Sequence, residues 1–255
     1  FEHMMFKGTH TIGTEDITED LAIIQQLDQI KVELAVEEAQ LLVAHRLGEI
    51  DDPNDPEARS SRHLELLAQF DDLLARQQEI VVKEDFSRIY TEQGASGMNA
   101  GTSNDFTVYF INVPANKLEL WFWMESDRLL NPVFREFYSE RDVVHEERRL
   151  RTDSTPIGKY QEQFDAMFWG SSPYSWPVVG WPSDLEGMTR EEALAFFDVY
   201  YAPNNIAAAL VGDFDPEHAT ALAERYFGRI PRSARPPLEP RTREMPQLAE
   251  KRMEA

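Results

Sequence analysis

Two long helical patterns joined by a short turn determine the architecture of the first third of the chain. From Glu19 to Ile50, apolar or small residues recur at a heptad-like spacing, which predicts a long amphipathic helix. Residues 51–56 contain two prolines and three aspartates, which end that helix and form a turn. A second pattern runs from Glu57 to about Tyr90, so we expect an antiparallel helical hairpin. The positions expected to pack are Ile23, Leu27, Ile30, Leu34, Leu41 and Ala44 in the first helix, and Leu64, Leu67, Phe70, Leu74 and Val81 in the second.

A pair of carboxylates further along the chain suggests a metal site. At about 100° per residue, Glu140 and Glu147 fall on one helix face two turns apart, with Val143 between them. Two carboxylates on a half-apolar face need a counter-charge, and a divalent metal is a good one. Glu146 competes with Glu147 as the ligand, and only the spacing from Glu140 favours Glu147. His145 lies about 160° from Glu147 around the helix and is assigned to solvent.

Four motifs, in order, resemble one family of zinc peptidases. They read EHMMFKGT, GMNAGTSNDFTVYF, ERDVVHEERR and YYAPNNIAAALVGDFDP. In this order they resemble the pitrilysin/insulinase group, peptidase family M16, which includes the mitochondrial processing peptidases. The resemblance covers nearly the whole chain apart from one insertion. In that group the metal site is an inverted motif, His-x-x-Glu-His, followed far downstream by a glutamate ligand.

The resemblance implies a role for each of four residues. Glu2 matches the general base, His3 the second histidine ligand, Glu147 the glutamate ligand, and Glu140 the assisting carboxylate. The first histidine of the motif would lie two positions before Phe1, so we expect the chain to begin inside its own motif. Two protein ligands would then remain where catalytic zinc has three and an open position. On this basis the fragment alone is expected to be inactive.

The implied chemistry is hydrolysis of a peptide bond without a covalent intermediate. Zinc held by imidazoles and one carboxylate lowers the pKa of bound water towards about 7. A glutamate beside a ligand can accept the proton of that water and pass it to the leaving amine. We therefore expect Zn²⁺ as the cofactor and a peptide as the substrate.

The spacing between the motifs departs from the family pattern. Between His3 and Glu147 there are 143 residues, more than the family usually has. The helical hairpin, inserted at about 19–92, accounts for the excess. An insertion in a surface loop need not disturb the ends it joins, since the cost of loop closure grows only logarithmically with length.

A β-strand is predicted from Phe106 to Val113, where β-branched and aromatic residues predominate. The glycine-rich stretch at 94–101 before it lacks the spacing of a phosphate-binding loop. In the family, the matching Asn-Ala lies at the cleft edge where substrate backbone adds to the sheet. The resemblance makes Asn99 a substrate-contact candidate, with a plain turn asparagine as the alternative. A buried strand is also expected from Asn204 to Phe214.

Composition excludes several classes of protein. The 25 basic and 46 acidic residues give a net charge of −21, which argues against a nucleic-acid partner. The absence of cysteine excludes disulfides and thiolate metal sites. No apolar run approaches the roughly 18 residues needed to span a bilayer.

The sequence therefore predicts an α+β fold, with a mixed sheet, helices on one face and an inserted antiparallel helical hairpin. We expect a metallopeptidase domain over residues 1–230, and a proline-rich linker at 231–255 that leads to a second homologous domain. The predicted function is that of a zinc endopeptidase acting on short or unfolded peptides. A non-catalytic homologue serving as a structural or binding subunit is the alternative, and a coiled-coil adaptor organised by residues 19–92 is a third interpretation.

Overall fold

The computed structural model describes residues 1–254 of the chain. Contacts divide it into two compact units. Gly8–Asp85 form one unit, and Phe1–Lys7 together with residues 86–254 form the other. Helices predominate, and residues 1–254 contain one two-stranded antiparallel sheet. The fold is therefore of the α+β class, as the sequence predicts.

The smaller unit is the predicted helical hairpin. Helix α1 spans Ile17–Arg46 and helix α2 spans Ser61–Ile80. The side chain of Asp16 caps α1 by accepting hydrogen bonds from the backbone N–H groups of the first turn, and Ser60 caps α2 in the same way. Arg76 pairs with Glu19, near the start of α1, whereas a residue at the start of α2 pairs with the middle of α1. The two helices are therefore antiparallel.

The buried face of the hairpin agrees with the expectation for α1 but not for α2. Ile23, Leu27, Ile30 and Leu34 are buried, whereas the predicted core positions Leu41 and Ala44 are only half-buried. In α2, the expected Leu64 is 50% exposed. The residues buried on α2 are His63, Leu66, Phe70, Leu73 and Gln77.

This difference in α2 has a polar cause. Gln77 donates a hydrogen bond of 2.8 Å to the buried carboxylate of Asp20, which lowers the cost of burying both side chains. A pattern that counts only apolar residues omits Gln77 and His63. It therefore predicts a buried face of α2 that is rotated around the helix axis from the observed one. The predicted second helix also ends earlier, because Ile80 is followed by a break and by helix α3, Asp85–Glu92.

The larger unit contains the sheet and the remaining helices. Strands β1 and β2 are Ser96–Thr102 and Thr107–Asn112. The helices are α4 Leu118–Leu130, α5 Phe137–Arg148, α6 Pro156–Phe168, α7 Pro182–Gly187, α8 Arg190–Tyr200 and α9 Pro216–Tyr226. A 3-10 helix covers Glu2–Phe6, and a π-helical turn, Arg149–Asp153, follows α5. Thr189 and Glu192 form a capping box at the start of α8.

The sheet is smaller than the sequence predicts. β1 and β2 pair with Ser96 opposite Asn112 and Thr102 opposite Thr107, and within residues 1–254 no further strand joins them. The mixed sheet is thus reduced to one β-hairpin. The buried strand expected at 204–214 is wrong, since Val211 is 98% exposed and the segment has no ladder. A strand needs a neighbour for its N–H and C=O groups, and none of the described residues supplies one.

An aromatic cluster anchors the first residue of the chain. The ring of Phe1 lies 5.5 Å from that of Phe134, 4.9 Å from that of Phe196 and 4.6 Å from that of Tyr201, measured between centroids. These rings come from α8, its C-terminal end and the segment before α5. The opening residues are therefore held against the helix that carries Glu140 and Glu147.

A membrane-crossing helix is not found. None of the helices in residues 1–254 combines the length and the apolar content needed to cross a bilayer.

Candidate metal centre

The opening 3-10 helix presents two polar side chains on one side. Met4 and Met5 are buried, at 4% and 2% exposure, and fix the orientation of the helix. Glu2 and His3 are half-buried and point away from that core. The local fold thus exposes a glutamate and a histidine next to each other in sequence, beside a rigid apolar support.

Side-chain hydrogen bonds hold helix α5 in place at both ends. The buried guanidinium of Arg135, just before the helix, donates a hydrogen bond of 2.5 Å to the backbone carbonyl of Lys7. At the other end, buried Arg148 donates to both carboxylate oxygens of Glu162 at 2.6 and 2.9 Å and to the carbonyl of Gly180 at 3.0 Å. The first contact joins α5 to the opening segment. Both contacts restrict how the carboxylates of α5 can move.

His3 lies between the two carboxylates of α5. Its Nδ1 is 2.8 Å from Oε1 of Glu140, which is a hydrogen bond, and its Nε2 is 3.7 Å from Oε2 of Glu147. Glu140 and Glu147 lie 137 and 144 residues after His3 in the chain. The structure therefore brings together three of the residues that the sequence proposes for the metal site.

The separation of His3 and Glu147 is compatible with two ligands of one zinc ion. Zinc lies about 2.1 Å from nitrogen or oxygen ligands, so two tetrahedral ligands are about 3.4 Å apart. The observed 3.7 Å between Nε2 and Oε2 is close to that separation. Among residues 1–254, however, no group of three or more His, Cys, Asp or Glu side chains is placed to hold a metal ion. The described residues therefore bring two of the proposed ligands near each other and supply no third.

Two cations orient the carboxylates, and the sequence analysis missed both. Lys7 Nζ lies 2.5 Å from Oε2 of Glu140, and Arg151 Nη1 lies 2.8 Å from Oε1 of Glu147. Each carboxylate thus contacts a cation through one oxygen and faces His3 through the other. Arg151 could have been found from the sequence, because it lies four residues after Glu147 on the same helical face. Lys7 could not, because its partner is distant in the chain.

Lys7 also contacts the residue before α5. Its Nζ is 3.3 Å from Oε2 of Glu136, which precedes the helix in the left-handed conformation with φ 54°. Non-glycine residues rarely adopt that conformation, and it costs of order 1 kcal/mol or more. The contact with Lys7 compensates part of that cost.

These contacts shift the pKa values of the two groups that share a hydrogen bond. The hydrogen bond that His3 donates to Glu140 raises the pKa of His3, and burial opposes the shift. Burial by itself would raise the pKa of Glu140, but the hydrogen bonds and charges of His3 and Lys7 outweigh it and lower the pKa to about 2. Glu140 is therefore a carboxylate at neutral pH and accepts the Nδ1 proton. That arrangement directs Nε2, the other ring nitrogen, towards Glu147.

Glu2 is attached to the end of strand β1. Its Oε2 accepts a hydrogen bond from the hydroxyl of Thr102. That hydroxyl is also 3.2 Å from the hydroxyl of Thr107, on strand β2. Asn99 lies on the same strand with an exposed side chain, and its Oδ1 accepts a hydrogen bond of 2.9 Å from the backbone of Ala100. Thr102, rather than Asn99, is the strand residue that contacts the other candidate residues.

Glu146 and His145, the other metal-ligating side chains near Glu147, lie elsewhere. Glu146 forms an exposed pair with Arg149 at 2.8 Å. No contact joins either side chain to His3 within residues 1–254. The geometry therefore favours Glu147 over Glu146 as the residue that faces the histidine.

Comparison with known proteins finds similarity to zinc proteases. The family model described as the peptidase M16 inactive domain matches residues 187–254. A zinc protease of Helicobacter pylori, PqqE, is 36% identical over 131 residues, which cover 51% of this chain and 30% of that protein. The crystal structure of a protease from Helicobacter pylori superimposes with a TM-score of 0.55 at 31% identity, over 58% of this chain and 36% of that chain. The chain is therefore similar to M16 peptidases and zinc proteases over part of its length.

Two further proteins are similar to part of the chain. An uncharacterized zinc protease of Mycobacterium leprae is 32% identical over 133 residues, 51% of this chain and 30% of that protein. The ferredoxin protease FusC, solved with Arabidopsis ferredoxin, has a TM-score of 0.54 at 22% identity over 62% of this chain and 18% of that chain, and it shows likeness of fold. The chain spans about a third of the length of these two curated relatives. The M16 family match at 187–254 does not include the residues that contact His3.

Proposed function

We propose that the protein is a zinc-dependent endopeptidase, and that this chain contributes part of its active site. The observation that carries the proposal is the position of His3 between Glu140 and Glu147, with Nε2 and Oε2 at 3.7 Å. Relatives named zinc proteases support the same class of reaction.

In this proposal His3 and Glu147 hold the metal and Glu140 positions the histidine. Glu140 accepts the Nδ1 proton of His3 at 2.8 Å, which would leave the lone pair of Nε2 available to a metal ion. Arg151 occupies the oxygen of Glu147 that faces away from His3. That contact leaves the other carboxylate oxygen available as a metal ligand.

Zinc, when bound, activates a water molecule for attack on the peptide carbonyl. Glu2 is the general base of this step: its carboxylate accepts a proton and then delivers it to the leaving amine. The hydroxyl of Thr102 donates to one oxygen of Glu2 and leaves the other free to take the proton. Thr102 thus orients the base.

The substrate class follows from the strand that carries Thr102. Strand β1 pairs with β2 along one edge, and no strand of residues 1–254 pairs with its other edge. An extended peptide can add to such an edge through backbone hydrogen bonds, with Asn99 as a contact. We propose short or unfolded peptides as substrates, a peptidase domain over residues 1–230 and a linker at 231–255 to a second homologous domain. Residues 231–254 contain no helix or strand.

The test compares the intact protein with its Glu2→Gln variant. Glutamine can still accept the hydrogen bond of Thr102 but cannot take a proton, so zinc content should be unchanged while peptide hydrolysis falls by about 10²-fold or more. A Glu239→Gln variant, which alters an exposed carboxylate in the chain beyond α9, serves as the control and should keep full activity. Equal rates for Glu2→Gln and the wild type would remove Glu2 as the base. A wild-type protein that holds zinc and cleaves no peptide would favour the non-catalytic subunit.

A further inference from the structure

The end of the helical hairpin is a helical projection without a buried core. We call residues 35–60 the hairpin tip; they include the last part of α1, the connecting turn and the cap of α2. No residue of the hairpin tip is buried, although several of its side chains are apolar. The rest of α1 buries one side chain per turn or more, ending at Leu34.

The tip forms because α1 is longer than α2. The hydroxyl of Ser60, the cap of α2, donates a hydrogen bond of 2.6 Å to Glu37, so α2 begins beside that residue. Helix α1 then continues to Arg46, nine residues or about 14 Å further. This extension has no second helix against it, so tertiary packing contributes little to its stability.

An apolar stripe runs along the outer side of α1 into the tip. Val32, Val36, Val43 and Leu47 lie within an arc of about 60° at 100° per residue, and the stripe is about 22 Å long. They are 68%, 55%, 51% and 68% exposed. The stripe lies roughly opposite the face that packs on α2. Helix α1 is therefore apolar on two sides, and only one of them is covered.

The hairpin tip is also strongly acidic, and it contains few basic residues to balance that charge. It contains seven acidic residues and two arginines, Arg46 and Arg59. The acidic residues are Glu37, Glu38, Glu49, Asp51, Asp52, Asp55 and Glu57. None of the seven forms an ion pair within the part of the chain that the structure describes, whereas Glu19 and Glu33 nearer the base of the hairpin both pair with arginines of α2.

We propose that the hairpin tip binds a basic amphipathic helix of another protein. The apolar face of that helix would cover the stripe from Val32 to Leu47, and lysine or arginine side chains beside it would pair with the carboxylates of the tip. A segment of about 15 residues matches the length of the stripe.

Charge argues against the other occupants of this surface. A second copy of the chain would bring seven more carboxylates to the interface, and an anionic lipid surface would repel those already present. Burial of the valines and Leu47 would contribute the affinity, and the carboxylates would select the partner.

The test uses a synthetic 18-residue helical peptide with leucines on one face and lysines on the other, and the full chain. Anisotropy titration at physiological salt should give saturable binding. A scrambled peptide of the same composition, which has no apolar face, should bind at least tenfold more weakly. Replacing valine and leucine by glutamine in V36Q/V43Q/L47Q should weaken binding of the amphipathic peptide at least tenfold. Glutamine preserves helix propensity, and circular dichroism checks that helicity is retained.

A charge-matched pair of variants separates the tip from the overall charge of the chain. E38Q/E49Q/D51N removes three carboxylates from the tip, and D213N/E239Q/E254Q removes three exposed carboxylates elsewhere. The tip variant should lose at least fivefold in affinity, while the distant variant keeps wild-type binding. Equal losses in the two variants would show that binding follows net charge and would overturn the proposal. So would sedimentation showing dimers that V36Q/V43Q/L47Q abolishes, or binding of the wild type to phosphatidylserine vesicles in preference to the peptide.

Discussion

Replacement of Lys7 by methionine tests whether the cation holds the carboxylates of the candidate metal centre. Methionine keeps the length of the side chain and its apolar part but removes contacts of 2.5 Å to Glu140 and 3.3 Å to Glu136. The side chains involved are only 15–22% exposed, so solvent screens these contacts less than at the surface. A hydrogen bond to a charged group contributes about 1.5–3 kcal/mol, and we expect Lys7→Met to lower the free energy of unfolding by about 2 kcal/mol.

The assay is urea denaturation of the protein in chelator, at two pH values. The pKa of Glu140 is lowered from 4.5 to about 2, so its stabilising contribution is present above pH 4.5 and is lost as the pH falls towards 2. The difference between wild type and Lys7→Met should therefore be full at pH 7 and should shrink as the pH approaches 2.

The matched control is Lys159→Met, on an exposed position of α6, which should change stability by less than about 0.5 kcal/mol. If Lys7→Met destabilises no more than Lys159→Met at pH 7, the cation does not support the site in the way argued above. A difference that stays constant down to pH 2 would separate the effect of Lys7 from the charge of Glu140.

Three further substitutions test other parts of the structure. Glu147→Gln should abolish zinc retention during dialysis, whereas Glu146→Gln should retain the metal, and the opposite result would exchange the two assignments. Gln77→Leu removes a buried 2.8 Å hydrogen bond to a carboxylate and should cost about 1–3 kcal/mol in urea denaturation, while Gln78→Leu at an exposed neighbouring position should be nearly neutral. Thr102→Val should lower peptide hydrolysis and leave zinc content unchanged, and a loss of zinc would instead give this hydroxyl a structural role.

The existence of the hairpin is predictable from sequence, but its packing face is not. Heptad-like spacing and the prolines of the turn are local signals, and they locate both helices. The face of α2 depends on the pairing of Gln77 with a carboxylate of α1, which is a tertiary contact. Periodicity of apolar residues alone therefore selected Leu64, which is exposed, over His63 and Gln77.

Strands are the least predictable part of this fold. Strand β1 is rich in glycine and contains Asn99, residues with low β propensity, yet pairing with β2 makes it a strand. The segment at 204–214 has the opposite character: its composition favours a strand, and no described neighbour completes it. In both places the outcome depends on what lies alongside, which one segment of sequence does not contain.

At the candidate metal centre, the side chains that face His3 are easier to predict from sequence than the cations that contact those side chains. The spacing of Glu140 and Glu147 places both on one face of α5, where each faces the imidazole. The cations behind them differ in how far they could be foreseen. Arg151 follows from helical spacing, whereas Lys7 reaches Glu140 only because the aromatic rings around Phe1 dock the opening segment.

The π-helical turn Arg149–Asp153, which follows α5, constrains how many residues this part of the chain can contain. A π turn accommodates about one residue more than an α turn, so deletion of one residue there would restore ordinary helical winding and rotate α6 by about 100°. Glu162 would then turn away from the guanidinium of Arg148, from which both of its carboxylate oxygens accept hydrogen bonds. Variation in length is therefore better tolerated in the irregular segment after α6 than between these two helices.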